Sequence, residues 1–320
     1  MNQVRGQLAI LVTTKDRPIE LSNLLGSISR STVAPDKIVI VYTGENITSI
    51  TSLFSKNLNI EVIYSPIASQ TLQKSLGIKS LSGKYEWVML LDDDLVIKPN
   101  SLSILLNEYL LNPKYRDFAG FGCGISNQLN RSLNAWKIFV LKLFKLYSNT
   151  PGSITKSGHA QPYLNNKTQI EVQWLNGASV WSSEALDNYH TDLAPIPYSA
   201  YEDVDFSYKV SKKRRLMFAP KVEVENQKIE GDAPLSIRQY VYGGYRRFNF
   251  VCAHDELSKS WLLAAQVIRS FDFILRSNSQ TKIANRTTVA IRLWFDLLYL
   301  TIWNKERALG INRKILNDSN

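Results

Sequence analysis

Short apolar, β-branched runs alternate with helix-length amphipathic segments along the first part of the chain. The predicted strands are Leu8–Thr14, Lys37–Tyr42, Asn59–Tyr64 and Glu86–Leu91, and the predicted helices are Pro18–Ser29 and Ser69–Leu81. This alternation predicts an α/β fold, a doubly wound, mostly parallel sheet with helices on both faces. In such sheets ligands bind beyond the carboxyl ends of the strands, so chemistry is expected just after each strand.

The pattern is less regular after Asn112 and becomes helical toward the end of the chain. Further strands are predicted at 118–125, 170–175, 216–219 and 222–225, and further helices at 134–148 and 202–212. From Ser236 onward the periodicity is helical. A boundary near Asp232 predicts a catalytic domain over 1–232 and a basic, aromatic-rich helical region over 233–320.

Composition is that of a globular protein, with 44% apolar and 21% charged residues in 320. Cys123 and Cys252 are the only cysteines and lie far apart, so neither a disulfide framework nor a zinc site is expected. The first apolar run leads into Thr13 and Thr14 and shows no signal-peptide cleavage pattern. These features predict a cytoplasmic protein.

The net charge of +10 is unevenly distributed. Residues 206–320 hold 20 Lys and Arg against 10 Asp and Glu, whereas residues 1–205 hold 18 of each kind. A basic, aromatic-rich region favours contact with anionic lipid, with a pyrophosphate-linked acceptor or with nucleic acid. A solvated basic surface explains the same charge equally well.

Three consecutive carboxylates, Asp92, Asp93 and Asp94, follow the apolar strand WVMLL. Like charges at this density repel one another, and no Lys or Arg lies within the run to offset them. A divalent cation, Mn²⁺ or Mg²⁺, prefers such oxygen ligands and leaves positions open for a substrate diphosphate. The alternative is an exposed acidic turn after a strand.

A second acidic cluster, Glu202, Asp203 and Asp205, opens a predicted helix. A carboxylate can remove the proton of an attacking hydroxyl group, and Asp203 is the candidate for this catalytic base. Acidic residues in a first helical turn also interact favourably with the helix dipole, so a purely structural role is the alternative.

The order VTTKDRP, KIVIVYTGE, QKSLGIKSLSGKYEWVMLLDDD, VQWLNGASVWSSEAL and YEDVDFSYKV resembles the family-two inverting glycosyltransferases of the GT-A fold, over about residues 7 to 226. The resemblance implies a nucleotide-sugar donor, a saccharide or lipid-linked acceptor, and a DXD-type site at Asp92–Asp94 for a divalent cation and the donor diphosphate. It maps the base to Asp203. The implied nucleotide-binding residues after the first strand are Thr13, Thr14, Asp16 and Arg17, and the implied sugar and acceptor residues are Trp174, Asn176, Gly177 and Glu202.

Three positions depart from the family pattern. The acidic residue expected after the second strand is replaced by Thr43 and Gly44, with Glu45 close by, so the nucleotide base is not identified. The usual Arg-Asn pair is Gln73-Lys74, which keeps one cation, Lys74, for the diphosphate. The late metal-binding histidine is replaced by Glu225 or Asn226.

Two helical segments carry apolar faces that fit either a protein core or a membrane interface. Residues 135–147 place Lys137, Lys142 and Lys145 on one arc and apolar side chains on the other. Residues 289–303 are apolar but shorter than the roughly 20 residues that a membrane span needs. Peripheral contact at the inner face of the cell membrane is therefore a predicted interaction.

The segment 240–250 (YVYGGYRRFNF) offers a candidate lid over the donor diphosphate, with Tyr245, Arg246 and Arg247 as its residues and the Gly243-Gly244 pair as its hinge. A basic helix packed on the core is the alternative. For the whole chain, the alternative to a glycosyltransferase of polysaccharide or glycolipid biosynthesis is a nucleic-acid-binding protein that uses the basic C-terminal third.

Overall fold

A computed structural model describes residues 6–127, 134–187, 189, 201–228, 236–276 and 280–303. Its strands are β1 Gly6–Lys15, β2 Lys37–Thr43, β3 Ile60–Tyr64, β4 Tyr85–Asp92, β5 Leu95–Ile97, β6 Phe118–Ile125, β7 Ile170–Val172, β8 Ser179–Ser182 and β9 Arg215–Asn226. Its α-helices are α1 Pro18–Ser29, α2 Thr48–Phe54, α3 Gln70–Leu81, α4 Ser101–Ile104, α5 Ala135–Leu143, α6 Ser183–Leu186, α7 Glu202–Ser211, α8 Ile237–Cys252, α9 Lys259–Leu275 and α10 Gln280–Ile302. A π-helical segment, Leu105–Leu110, continues α4.

The sheet has the order β3-β2-β1-β4-β8-β6-β9-β5, and β7 pairs with β9. Strands β3, β2, β1 and β4 run parallel, as predicted from the alternating pattern. Beyond them, β8 runs antiparallel to both β4 and β6, and β9 runs parallel to β6. The carboxyl ends of β1, β2 and β4 therefore meet at one edge of the sheet.

Alternate side chains of the central strands enter two apolar cores, one on each face of the sheet. Leu8, Ile10 and Val12 of β1 pack with α1 on one face, whereas Ala9 and Leu11 pack with α3 on the other. This alternation is the period of a strand, and the two covered faces confirm the predicted α/β layering.

The structure divides into two compact units. The first contains residues 1–130 and 163–229, and the second contains 131–162 and 230–320. The predicted boundary at Asp232 lies outside the described residues. The functional division into a catalytic domain over 1–232 and a helical region over 233–320 stays a prediction. The compact units differ from it in one respect, because residues 131–162 belong to the same unit as the C-terminal helices.

The second unit is helical in its described part, in agreement with the pattern after Ser236. Helix α10 packs on α9 and α8, which also contact each other. Helix α5 ends at Leu143, earlier than predicted, because Lys145 adopts a left-handed conformation with φ of 54°. No helix in the described part of the chain combines the length and the hydropathy needed to cross a bilayer.

Candidate active site

The ends of β1 and β4 bring the two predicted sequence motifs together. Thr13 lies opposite Asp92 in the parallel pairing of these strands. The hydroxyl group of Thr14 donates to Asp93 at 2.7 Å, and the Arg17 guanidinium donates to Asp93 at 2.9 Å and to Asp94 at 3.1 Å. Burial raises the pKa of Asp93, although Thr14 and Arg17 oppose that rise.

These side chains line a cavity of about 380 Å³ at the sheet edge. Its lining residues are Thr13, Thr14, Lys15, Arg17, Ala68, Gln70, Gln73, Asp92, Asp93 and Asp94. The predicted residues at the ends of β1 and β4 are thus gathered around one space. The sequence did not single out Gln70, because only the folded helix α3 brings its first turn to this edge. It also did not single out Lys15, the last residue of β1, or Ala68, which lies just before α3.

Two neighbouring groups approach the Asp92 carboxylate closely, Gln70 and the backbone at Gly177. One carboxylate oxygen accepts a hydrogen bond from the Gln70 amide at 2.9 Å, and a Cβ at Gly177 would lie 2.3 Å from the other. Burial raises the pKa of Asp92 to about 7, with the negative charges of Asp203, Asp94 and Glu202 adding to the rise and Lys74 opposing it. Asp92 is therefore electrostatically linked to the acidic pair of α7.

Helix α7 presents that acidic pair in its first turn. Tyr201, the residue before the helix, has φ of 70°, an uncommon conformation for a bulky residue. The Lys74 ammonium, on α3, donates to Glu202 at 2.7 Å and to Asp203 at 3.0 Å. Lys74 and Glu202 are both buried, and Asp203 is partly exposed. The predicted base is thus held beside a buried cation.

Burial lowers the pKa of Lys74, but the carboxylates of Asp203 and Glu202 outweigh it and hold that pKa well above its usual value. The ammonium is occupied by these two carboxylates and does not line the cavity. The structure thus places Lys74 against the predicted base, and its contact with the donor diphosphate stays a prediction.

The loop before β8 lies next to the aspartates and contains Trp174, Asn176 and Gly177. The Tyr163 hydroxyl accepts from the Asn176 backbone N–H at 2.9 Å and donates to its side-chain oxygen at 3.3 Å. Trp174 packs edge-on against the Tyr163 ring. Tyr163, which no sequence motif identifies, therefore fixes two of the predicted sugar-binding residues.

Other predicted nucleotide-binding residues hold the sheet edge together. Asp16, with φ of 52°, accepts a hydrogen bond from the Glu45 backbone at 3.0 Å, and Gly44 has φ of 92° beside it. The Thr43 hydroxyl donates to the Ser65 carbonyl at 2.9 Å. Asp16, Thr43 and Glu45 lie outside the lining of the cavity as the described residues define it.

Gln227, also missed from the sequence, supports the acidic turn. Its backbone N–H donates to the Asp94 carbonyl at 2.8 Å, and its side-chain amide donates to the Asp93 carbonyl at 3.1 Å. Glu225, in the region predicted to supply a further metal ligand, forms an ion pair with Lys98. Nothing in the sequence distinguishes Gln227 other than its position just after the last strand.

The aspartates fit a cation that takes part of its coordination from a substrate. Among the described residues no three His, Cys, Asp or Glu side chains are grouped as a ready-made metal site. Both Asp93 oxygens already accept hydrogen bonds, one from Thr14 and one from Arg17. Mg²⁺ is commonly held by one or two carboxylates together with substrate phosphates, an arrangement that Asp92 and Asp94 can supply.

The predicted lid residues belong to the second unit, within the continuous helix α8. Tyr245, Arg246 and Arg247 are buried there, and the Tyr245 hydroxyl contacts the Asp296 carboxylate. Gly243 and Gly244 lie in the helix interior, where a Cβ at Gly244 would approach Leu293 to 2.8 Å. This arrangement is that of the alternative, a packed basic helix, and the lid role stays a prediction.

No family model and no curated protein matches the sequence of this chain. Solved structures do match its fold. S. aureus TarS 1-349 in complex with UDP-GlcNAc matches with a TM-score of 0.58 and 13% identity, covering 91% of this chain and 81% of TarS 1-349. TarS 1-349 alone matches with a TM-score of 0.55 and 12% identity, covering 97% of this chain and 82% of TarS 1-349. Its complex with UDP matches with a TM-score of 0.52 and 13% identity, covering 90% of this chain and 82% of TarS 1-349.

At 12 to 13% identity these likenesses establish the fold. The chain has the GT-A architecture expected from the sequence, an α/β fold with a large, partly parallel sheet.

Proposed function

We propose that this protein is a glycosyltransferase that moves a sugar from a nucleoside-diphosphate-sugar donor to an acceptor hydroxyl group, with inversion at the anomeric carbon. The observation that carries the proposal is the convergence of Thr14, Arg17 and the three aspartates on one cavity. The acidic pair of α7 influences the same cavity, because Asp203 and Glu202 raise the pKa of Asp92.

The cavity offers both donors and acceptors for a nucleoside diphosphate. Lys15 and Arg17 supply positive charge at its wall, and charge-assisted hydrogen bonds from such groups hold phosphate oxygens. Asp92 and Asp94 would hold a divalent cation, with Asp93 keeping Arg17 in place. When bound, Mn²⁺ or Mg²⁺ neutralises the negative charge that develops on a departing diphosphate.

Asp203 is the proposed base. Its carboxylate accepts the proton of the acceptor hydroxyl group as that oxygen forms a bond to the anomeric carbon. The bond from the anomeric carbon to the diphosphate oxygen breaks, and the nucleoside diphosphate leaves with the electron pair. One displacement of this kind inverts the anomeric configuration. Lys74, which also pairs with Glu202, holds the Asp203 side chain in place for this step.

The acceptor side is proposed to involve Trp174, Asn176, Gly177 and Glu202. The Asn176 side-chain amide nitrogen is buried, with no hydrogen-bond partner among the described residues, so it is a donor that a sugar hydroxyl can satisfy. A saccharide or lipid-linked acceptor in polysaccharide or glycolipid biosynthesis, used in the cytoplasm at the inner membrane face, remains the proposed setting.

The test is nucleotide binding followed by turnover. TarS 1-349 was crystallised with UDP and with UDP-GlcNAc, so UDP and its sugars come first in a panel that also includes GDP, ADP, CMP and dTDP derivatives. With Mn²⁺ present, we expect one nucleotide to raise the melting temperature and the matching nucleotide sugar to be hydrolysed slowly. If no nucleotide stabilises the protein and no donor is hydrolysed, the proposal fails.

A further inference from the structure

Helix α5, in the second unit, has no buried side chain. Trp136, Phe139 and Leu143 are spaced so that they lie along one face of the helix, and all three are exposed. The Trp136 side chain is 72% exposed, and its ring packs on that of Phe139 with centroids 5.7 Å apart. An aromatic face of this kind gains nothing from its exposure to water, which indicates a partner.

Helix α10 has two apolar faces. Val289, Leu293 and Leu297 are buried on the side that packs within the second unit. On the opposite side, Ile291, Phe295, Tyr299 and Ile302 follow one another at helical spacing, and all four are exposed. Phe295, at the middle of this row, is 59% exposed. The row is too regular to represent isolated surface residues.

The second unit also carries the whole net charge of the protein. Residues 131–162 and 230–320 hold 18 Lys and Arg against 8 Asp and Glu, whereas the first unit holds 20 of each kind. Lys137 and Lys142 lie on α5 beside its aromatic face, and both are exposed. Exposed apolar side chains interspersed with basic ones are the pattern of a helix that lies in the interface of an anionic membrane.

We propose that the exposed apolar side chains of α5 and α10 form a docking surface for an anionic lipid bilayer. The bilayer-docking surface is defined by Trp136, Phe139, Leu143, Ile291, Phe295, Tyr299 and Ile302. Trp and Tyr side chains suit the headgroup region, Ile and Leu suit the acyl boundary, and the net positive charge attracts anionic headgroups.

Two other occupants fit less well. A nucleic acid is contacted largely through basic and polar side chains that bind its phosphate backbone. The exposed row of α10 instead contains the aliphatic residues Ile291 and Ile302. In a homodimer, two units that each carry the net charge of +10 would repel one another. All residues of the bilayer-docking surface belong to the second unit, so vesicle binding can be tested independently of glycosyl transfer.

The experiment is co-sedimentation of the full chain with vesicles of phosphatidylcholine alone and of phosphatidylcholine mixed with phosphatidylglycerol. We expect binding to the anionic vesicles, weakened by salt, and little binding to the neutral ones. The double variants Trp136→Ser/Phe139→Ser and Ile291→Ser/Phe295→Ser should each reduce the partition coefficient about tenfold or more, because each removes two inserted side chains.

Leu53→Ser is the matched control, since Leu53 is an exposed apolar residue (74%) of the first unit, and it should bind as the wild type does. Circular dichroism confirms that the variants fold. Absence of anionic vesicle binding, or binding that the double variants leave unchanged, would overturn the proposal. So would a dimer in sedimentation velocity that the double variants dissociate, or duplex DNA binding that they abolish.

Discussion

The Lys74 ammonium lies 3.0 Å from a carboxylate oxygen of Asp203, the proposed base. This pairing joins α3 to the first turn of α7 and places a positive charge beside the group that must accept a proton. The same ammonium reaches Glu202 at 2.7 Å, so one buried lysine fixes both carboxylates.

Asp203→Asn should lower the turnover number about 100- to 10,000-fold, because an amide cannot take up the acceptor proton. Nucleotide binding should be nearly unchanged, since Asp203 is not part of the cavity lining. Initial rates and nucleotide-induced shifts in melting temperature measure the two effects. Asp205→Asn is the control, because Asp205 lies on the same helix and pairs with Lys209. Equal loss of binding and turnover would show that the base is misassigned.

Lys74→Met should destabilise the protein by about 3–5 kcal/mol, because it leaves Glu202 buried without its cation. Urea unfolding measures this change in the free energy of unfolding. Lys209→Met removes a lysine from an exposed i,i+4 pair and should cost about 0–1 kcal/mol. If the two variants lose the same stability, the buried ion pair has no special structural role.

The sequence predicts the central elements of the fold well, since their signals are local. Helix α1 has the predicted bounds, because Pro18 starts it and apolar residues repeat at helical spacing. Strands β5 and β8 were missed: LVI is very short, and SVWS has serine at both ends. The two short strands predicted around Pro220 form one strand, β9, because a shift in its pairing with β6 accommodates the irregularity.

Only the part of the candidate site that lies at the ends of the parallel strands can be predicted from the sequence. The carboxyl ends of parallel strands meet at one edge, so Thr14 and Asp93 could be expected to lie close together. The contact of Lys74 with Asp203 depends on how α3 and α7 pack on the sheet, and no local pattern encodes it. The same holds for Gln70, which reaches Asp92 from the first turn of α3.

Gly177→Ala should reduce turnover about a hundredfold, because the added Cβ would lie 2.3 Å from an Asp92 oxygen and force the carboxylate or the loop to move. Steady-state kinetics with the identified donor measures the effect. Gly243→Ala is the control: its Cβ meets nothing within 4 Å, and alanine in a helix interior adds about 0.5–1 kcal/mol of stability. Loss of turnover in Gly243→Ala would instead support the predicted hinge in α8. Normal turnover in Gly177→Ala would show that Asp92 has room to move.

His159 should make the stability of the second unit depend on pH. Burial, and then the positive charge of Arg247, hold the pKa of His159 well below its usual value near 6.5. Below about pH 6.5 the unfolded chain therefore binds a proton that the folded chain does not. The free energy of unfolding contributed by this group should fall with decreasing pH, approaching about 1.4 kcal/mol per pH unit until the folded pKa is reached. Urea unfolding at pH 7.5, 6.5 and 5.5 measures the slope, and His159→Gln should flatten it because glutamine does not titrate. If the free energy of unfolding changes with pH by the same amount in the wild type and in His159→Gln, His159 takes up its proton equally in the folded and unfolded states.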